Sequence, residues 1–312
     1  MSRIHEALKK AEQERLESPP PAAAPSIEDM PQAAFASAQA APVATAARTA
    51  RVSSELGSLT HSDLLVQCAK PEWKPDPKSV LFLNNESHHA IGMEEFRTLR
   101  SRLYRIREHT ELKVVLVGSA LPAEGKSFVS INLAQVLSRQ KGRRVLLIDG
   151  DLRAPRIHKY LGAPLSPGLT EYLKGEANEL EIIQQSDSEN LFFIPCGSTM
   201  ASPAELLANG QIEKLVQRMR KVFDWIVIDS SPILPVSDAG LLSQCCDGVL
   251  LVVLASKTPA EMAKRATQEF KDRPLLGVVL NRAWAKSRFG AYAYYGRYAK
   301  AYGAPEETSA RK

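Results

Sequence analysis

The chain has 312 residues, 44% hydrophobic and 24% charged, which is the composition of an ordinary water-soluble globular protein. Its four cysteines show no C-x-x-C spacing, which argues against a zinc site or a disulfide framework and favours a reducing compartment. The formal charge is +5, and residues 282–312 carry seven Lys or Arg against two Glu, so this tail accounts for the excess.

The N-terminal part predicts a short helix followed by a linker. In residues 1–17, Ile4, Leu8 and Ala11 recur at helical spacing, which predicts an amphipathic helix that is either a frayed end or a docking peptide. Residues 18–79 are first rich in Ala and Pro and then irregular, which predicts a disordered linker. No stretch reaches the roughly 20 apolar residues of a membrane span, and no signal-peptide core is present, so we expect a cytoplasmic protein.

Residues 80–283 predict one folded domain. Helical patterns lie at about 92–108, 126–140, 203–222, 237–246 and 259–272. Between them are short apolar runs bounded by turns, at 113–117, 145–148, 191–194, 225–228, 249–254 and 276–280. Buried runs that alternate with helices are typical of βαβ units. The sequence therefore predicts an α/β fold with a doubly wound, mostly parallel sheet of the P-loop NTPase type.

A phosphate-binding loop follows the first predicted strand. Residues 120–127 read A-x4-G-K-S, the P-loop pattern with Ala120 at the usual first glycine. The backbone N–H groups of such a loop and of the next helix start cradle phosphates. Lys126 would reach the β- and γ-phosphate oxygens, and the Ser127 hydroxyl would bind Mg²⁺. We therefore predict ATP and Mg²⁺ as cofactors, bound through Glu124, Gly125, Lys126, Ser127 and Phe128.

Two further predicted strands end in carboxylates. Asp149 and Asp151 follow the run at 145–148, and Asp229 follows the run at 225–228 in the form of a Walker B motif. The carboxyl ends of parallel strands meet at one ligand crevice, where an unpaired carboxylate is costly unless it holds a cation or acts as a base. Asp149 and Asp151 could instead cap the following helix.

These motifs together resemble a known family. The ordered set A-x4-G-K-S, L-L-I-D-x-D-x-R and V-I-D-x-x-P, followed by a C-terminal tyrosine cluster, is similar to the bacterial tyrosine kinases. The closer likeness is to the CpsD/CapB-type autokinases of capsule and exopolysaccharide export, over about residues 80–303. The run D-L-R-x-P-x-x-H at 151–158 fits the family's extended second motif. A helix motif for self-association into a ring matches Glu94, Arg97 and Arg100.

The resemblance implies roles for single residues. Asp149 and Asp229 organise Mg²⁺ together with the P-loop hydroxyl. Asp151 accepts the proton of the tyrosine hydroxyl, and Arg153 steadies the phosphate charge that develops during transfer. Asn281, after the last predicted strand, falls where related ATPases contact adenine.

The C-terminal tail, residues 284–312, contains the predicted phosphoacceptors. Five of the eight tyrosines fall within residues 292–302, separated by Gly and Ala without apolar periodicity, so we expect a mobile segment that can enter a neighbour's active site. The tail could instead be a sticky disordered end or an aromatic, basic surface for single-stranded nucleic acid. We favour the first interpretation, without a nucleic-acid partner. The acceptors are then Tyr292, Tyr294, Tyr295, Tyr298 and Tyr302.

The resemblance also implies partners. It predicts a ring-shaped homo-oligomer and a membrane adaptor of the chain-length-determinant type, which would recruit the cytoplasmic kinase to the inner face of the membrane. A cognate phosphotyrosine phosphatase would reverse the modification. The expected function is an ATP-dependent autokinase that acts in trans and regulates the chain length and export of a capsule or exopolysaccharide.

Two other functions use the same motifs. A Min/Par-type positioning ATPase shares the fold and both Asp motifs, but that class usually has a lysine five residues before the P-loop lysine, where this chain has Leu121. A structural adaptor could keep a nucleotide site only to stabilise an assembly. The intact Lys126 and the three Asp residues argue against such an inactive site.

Overall fold

The computed structural model of the chain describes residues 67–76, 79–80, 90–186, 190–198 and 202–283. The helix predicted at 1–17, most of the predicted linker and the tyrosine tail lie outside the described residues. Within the described residues, no helix has both the length and the apolar character of a membrane span.

The centre of the described part is a seven-stranded sheet. Its strands, in chain order, are β1 (Val114–Ser119), β2 (Val145–Asp149), β3 (Gln184–Gln185), β4 (Leu191–Ile194), β5 (Trp225–Asp229), β6 (Gly248–Leu254) and β7 (Leu275–Asn281). They lie in the order β3-β4-β2-β5-β1-β6-β7, and only the β3–β4 pair is antiparallel. Since the first strand lies inside the sheet and later strands add on both sides, the predicted doubly wound, mostly parallel α/β fold is confirmed.

Helices connect the strands. In chain order they are α1 (Ala90–Arg107), α2 (Lys126–Ser138), α3 (Ile157–Leu161), α4 (Leu169–Lys174), α5 (Glu179–Ile182), α6 (Pro203–Leu207), α7 (Gln211–Met219), α8 (Asp238–Ser243) and α9 (Ala260–Glu269). The helix α7 shows why they form, because its buried side chains recur on one face at helical spacing, at Ile212, Leu215, Val216 and Met219.

The structure differs from the sequence prediction in two respects. The single helix predicted at 203–222 is wrong, because the chain breaks between α6 and α7 at Gly210, whose φ is 77°. The Asn209 side chain accepts a hydrogen bond from the Gln211 amide, the first of α7, at 2.9 Å. The short elements α3, α4, α5 and β3 were not predicted, since two to six residues are too few to show a period.

Both faces of the sheet are buried from β3 across to β6, while the edge strand β7 is partly exposed. Along β1, Val114 and Leu116 pack into the hydrophobic cluster on one face, while Val115 and Val117 pack into the cluster on the other. This explains why the strands read as continuous apolar runs rather than as alternating ones. The four cysteines are all buried, and none forms a disulfide.

Residues 67–76 pack against the same domain. The Trp73 ring is buried and meets Phe193 edge-on, with 6.0 Å between centroids. The Asp76 amide donates to the Tyr160 carbonyl at 2.8 Å, and the Lys74 amide to the Gly162 carbonyl at 3.4 Å. The folded domain therefore begins before residue 80, inside the segment for which the sequence predicts a linker.

We expect Asp247, which lies just before β6, to be a main determinant of stability. One of its carboxylate oxygens accepts from the amides of Lys113 (2.7 Å) and Val114 (2.8 Å), and the other from Arg220. Asp247→Ala should lower the free energy of unfolding by about 2–3 kcal/mol, because it leaves these donors without an acceptor. Urea denaturation measures the loss. The control Asp272→Ala, at an exposed residue, should change stability by less than about 0.5 kcal/mol; equal effects would contradict the account.

Candidate active site

The loop between β1 and α2 has the P-loop conformation that the sequence predicts. It passes through two left-handed positions, Ala123 with φ 63° and Gly125 with φ 95°. The backbone angle of Gly125 requires glycine, and a Cβ there would also displace the Asn281 side-chain nitrogen, which it would meet at 2.0 Å. Ala120, at the usual first glycine, is fully buried and packs its methyl group into the core.

The P-loop lysine forms an ion pair with the second aspartate of the motif after β2. Lys126 Nζ lies 2.7 Å from Asp151 Oδ2, and the two side chains are 13% and 3% exposed. The other carboxylate oxygen of Asp151 accepts from the Ala154 amide at 3.1 Å. Burial alone would lower the pKa of Lys126, but the carboxylates of Asp229 and Asp151 outweigh it and raise that pKa above its ordinary value.

The Walker B aspartate binds the serines of α2. Asp229 accepts from the Ser127 hydroxyl at 2.6 Å and from the Ser130 hydroxyl at 2.9 Å. Burial raises the pKa of Asp229, although Lys126 and Ser127 oppose this effect. A hydroxyl and a carboxylate oxygen side by side next to a P-loop are ligands of the kind Mg²⁺ takes in such sites.

Asp149 is fully buried and has two backbone donors. Its oxygens accept from the Asp151 amide at 3.3 Å and from the Ile157 amide, the first of α3, at 3.2 Å. Asp149 thus also caps the following helix, as the alternative interpretation allowed. Burial, with repulsion from Asp229 and Asp151, raises the pKa of Asp149 well above its ordinary range.

The described residues contain no group of three or more His, Cys, Asp or Glu side chains arranged to hold a metal ion. Mg²⁺ commonly uses one or two carboxylates, with substrate phosphates and water as its other ligands. The pair Ser127 and Asp229 fits that pattern, and a bound nucleotide would complete it.

Arg153 has a partner that the sequence analysis missed. Its Nε and Nη2 donate to the two carboxylate oxygens of Asp238 at 2.7 and 3.0 Å. Asp238 is fully buried and also accepts from the Ser231 hydroxyl at 3.3 Å. This bidentate contact fixes the guanidinium plane and raises the pKa of Arg153. No local pattern signals the pair, because 85 residues separate its members.

These residues surround an open cleft of about 680 Å³. Its lining includes seven of the predicted site residues: Gly125, Lys126, Ser127, Phe128, Asp151, Arg153 and Asn281. Asp149 and Asp229 do not line it but contact its wall from the buried side, through Asp151 and Ser127. The carboxyl ends of β1, β2 and β5 therefore converge on one site, as expected for a parallel sheet.

The buried Glu124 side chain forms a brace that joins the P-loop to the end of β6 and to Thr258 after it. Its carboxylate is 2% exposed and accepts from the Leu121 amide (2.6 Å), from the Leu254 amide (3.4 Å) and from the Thr258 hydroxyl. The Glu124 carbonyl accepts from Asn281 Nδ2 at 2.8 Å. The side chain is occupied by these contacts, so the nucleotide contact predicted for Glu124 would have to come from its backbone amide and stays a prediction.

The residues predicted for ring formation differ in their availability. Glu94 and Arg97 are exposed on α1 and form an ion pair at 3.0 Å. Arg100 donates to the Val136 carbonyl near the end of α2, also at 3.0 Å, and so joins the two helices within the chain. The five predicted acceptor tyrosines lie outside the described residues.

Comparison with known proteins identifies similar chains. A family model described as an AAA domain matches residues 115–264. The tyrosine-protein kinase YwqD of Bacillus subtilis is 34% identical over 209 residues, which cover 66% of this chain and 87% of the relative. The tyrosine-protein kinase ptk of Acinetobacter johnsonii is 31% identical over 206 residues, which cover 65% of this chain but only 28% of that longer relative.

Two solved structures have a similar fold, and one of them is a tyrosine kinase domain. The kinase domain of the Escherichia coli tyrosine kinase ETK matches with a TM-score of 0.58 and 29% identity, covering 62% of this chain and 77% of that one. The septum site-determining protein MinD of Pyrococcus horikoshii, solved with Mg-ADP, matches with a TM-score of 0.50 and 23% identity, covering 57% and 73%. The second likeness establishes the fold alone.

The contacts of the Glu124 carboxylate predict that this side chain controls nucleotide affinity without itself touching the nucleotide. The Glu124 carboxylate now accepts from Leu121, Leu254 and Thr258. In Glu124→Gln an N–H group of the side-chain amide would face some of these donors, so hydrogen bonds would be lost and the P-loop should lose its fixed conformation. We expect the Kd for Mg-ADP, measured by calorimetry, to rise about tenfold. The control Glu261→Gln changes an exposed glutamate of α9 and should leave it unchanged. An unaltered Kd in Glu124→Gln would show that the brace does not matter for binding.

Proposed function

This chain belongs to the bacterial tyrosine-protein kinases, and from that premise we propose that it is an autokinase which phosphorylates its own tail in trans. The γ-phosphoryl group of ATP would pass to a tail tyrosine of a neighbouring subunit. The observation that carries the proposal is the contact of the P-loop lysine Lys126 with Asp151 in an open cleft. The cation that would bind the phosphates, Lys126, and the carboxylate that would accept the tyrosine proton, Asp151, are thus adjacent before the substrates bind.

Nucleotide binding changes the partner of Lys126 in this mechanism. The β- and γ-phosphate oxygens attract the ammonium group and draw it away from Asp151. The free carboxylate then lies beside the position of the transferred group. Ser127 and Asp229 would hold Mg²⁺ beside the phosphates, and the ion would supply positive charge that offsets their negative charge.

Transfer then needs only one proton acceptor. The tyrosine oxygen forms a bond to the γ-phosphorus as the bond from that phosphorus to the β,γ-bridging oxygen breaks. The phenol proton passes to Asp151, and ADP leaves with the electron pair of the broken bond. Arg153, whose plane Asp238 fixes, retains N–H groups at the cleft wall that can donate to the transferring oxygens.

The assembly and its setting follow from the same proposal. Exposed Glu94 and Arg97 on α1 leave that helix available for contacts in a ring of identical subunits. A membrane adaptor of the chain-length-determinant type would hold the ring at the inner face of the membrane. A phosphotyrosine phosphatase would restore the tail, and the cycle would regulate capsule or exopolysaccharide length and export.

A positioning ATPase is the second candidate, because MinD shares the fold. That class would hydrolyse ATP without making phosphotyrosine. Leu121, where such proteins usually carry a lysine, packs partly against the core, and its amide donates to Glu124.

The kinase proposal predicts separate effects for two variants. In Lys126→Met, tail phosphorylation should fall by about 10²–10³-fold, because a charged donor to the transferring phosphate is lost. In Asp151→Asn it should fall by about 10²–10⁴-fold while ATP binding is retained, because only the proton acceptor is removed. Mass spectrometry of phosphotyrosine after incubation with Mg-ATP measures both.

The control for these two variants is Lys141→Met, at an exposed lysine between α2 and β2. It should phosphorylate its tail at the wild-type rate. ATP hydrolysis without any phosphotyrosine that depends on Lys126, with or without the adaptor, would instead support the positioning ATPase.

Phosphorylation should also loosen the ring. Each phosphate adds about −1.5 to −2 charges, and several on one tail repel one another and the acidic site. A chain with Glu at the five tail tyrosines should therefore dissociate at higher concentration than one with Phe at the same positions, by light scattering. Equally tight assembly of the two chains would refute this part of the proposal.

A further inference from the structure

A second hollow of about 470 Å³ adjoins the nucleotide cleft. It is formed by α3 and the loop that precedes it, and it shares Ala154, Arg156 and Tyr160 with the cleft. Side chains of two kinds line it, cationic or polar ones and apolar ones: Arg156, His158, Lys159, Tyr160, Pro155 and Leu165. The proposed kinase reaction does not use this hollow.

The charges of the hollow are uncompensated. Arg156 and Lys159 are exposed, and neither side chain forms a hydrogen bond or ion pair with another described residue. Two cations of the cleft differ in this respect, because Lys126 is paired with Asp151 and Arg153 with Asp238. No carboxylate lines the hollow. Two unpaired cations on one concave wall favour an anionic ligand.

His158 adds an unsatisfied polar atom to this wall. Its Nδ1 is buried and has no hydrogen-bond partner among the described residues. Burial, and then the charge of Lys159, lower the pKa of His158 and so favour the neutral ring. A buried polar atom without a hydrogen-bond partner is uncommon in folded proteins, and a ligand oxygen or hydroxyl could form the missing hydrogen bond.

The wall is held in place before any ligand binds. The carboxylate of Asp149 accepts the first amide of α3, and the Tyr160 carbonyl accepts from the Asp76 amide. A site that is rigid in advance binds without a large ordering cost. Pro155, Leu165 and the ring of Tyr160 provide apolar surface for a flat group beside the cations.

We propose that this hollow binds the side chain of a phosphotyrosine, the product of transfer. The ligand is an aryl phosphate, whose ring would pack on the apolar residues and whose oxygens would accept from Arg156 and Lys159. The inference rests on the proposed function, since it assigns the hollow to the product of that reaction. It adds a site for the phosphorylated tail beside the site of transfer.

The sequence of the tail supports the phosphorylated form as the ligand. Residues 292–302 contain Arg297 and Lys300 and no acidic residue, so the unmodified segment is repelled by the hollow. Each phosphate adds about −1.5 to −2 charges, so one phosphotyrosine offsets the two cations of the segment and a second makes it negative. A phosphotyrosine held there would keep its tail beside Asp151 while a second tyrosine of the cluster enters the cleft. The hollow would thereby favour repeated phosphorylation of one tail.

Peptide binding to the full chain tests the proposal. The chain is first treated with a phosphatase and then saturated with Mg-ADP, so that neither its own tail nor the nucleotide cleft competes. A fluorescent peptide of residues 290–300 with phosphotyrosine at 295 should bind at least about tenfold more tightly than the unmodified peptide or one with phosphoserine at 295. Equal binding of the phosphotyrosine and phosphoserine peptides would overturn the assignment to an aryl phosphate.

Lys159 gives the cleanest variant, because it lines the hollow and not the cleft. Lys159→Gln should weaken phosphopeptide binding by at least about fivefold and leave the KM for ATP unchanged. Lys141→Gln removes the same charge from an exposed loop and should bind like the wild type. An equal affinity in Lys159→Gln and the wild type would refute the site.

Kinase measurements separate this inference from the proposed function. In Lys159→Gln, intact mass spectrometry after a timed reaction should show more singly and fewer multiply phosphorylated chains than in the wild type. Phosphopeptide binding without kinase activity would refute the proposed function and leave the hollow as a phosphotyrosine site. Kinase activity with an unchanged phosphate distribution and unchanged peptide binding would refute the hollow alone.

Discussion

The rest of the structure depends on one electrostatic constraint, the placement of three aspartates around a single lysine. Asp149 and Asp229 end the neighbouring strands β2 and β5, and Asp151 lies two residues after β2. All three are almost completely buried, and Lys126 is the cation among them. Three carboxylates against one ammonium leave a formal charge of −2. Such a cluster is costly unless it is partly protonated or meets a cation. The raised pKa values of Asp149 and Asp229 express that cost, and Mg²⁺ brought by a nucleotide would relieve it.

The sheet is what allows this cluster to exist. Its parallel register sets Asp149 beside Asp229, and the Gly150 amide donates to the Asp229 carbonyl at 3.0 Å. A Cβ on Gly150 would lie 2.5 Å from that carbonyl oxygen, so this approach of the two strand ends requires glycine. The core on both faces therefore contributes to function, because it fixes the distances among charges that repel one another.

The sequence was enough to predict the strands, which follow from local apolar pattern, and the site residues that lie at one edge of the parallel sheet. The six apolar runs became strands, and Lys126, Ser127, Asp149, Asp151 and Asp229 came together as expected from parallel topology. The brace from Glu124 to Thr258 and the pair of Arg153 with Asp238 were missed, because their members lie 134 and 85 residues apart. The hollow beside α3 was missed for a related reason: five residues of helix give no period, and only the fold shows that its cations lack partners.

The Lys126–Asp151 ion pair is the resting state of the site. In the proposed mechanism, nucleotide binding replaces it with a contact between Lys126 and the phosphates. A crystal structure of the full chain with Mg²⁺ and a non-hydrolysable ATP analogue measures this exchange directly. We expect Lys126 Nζ to contact the β- and γ-phosphate oxygens in that structure. Its distance from the Asp151 carboxylate should then exceed the ion-pair limit of about 4 Å, compared with 2.7 Å in the free chain. A retained ion pair with the analogue bound would contradict the release of Asp151, and with it the proposed role of Asp151 as the proton acceptor.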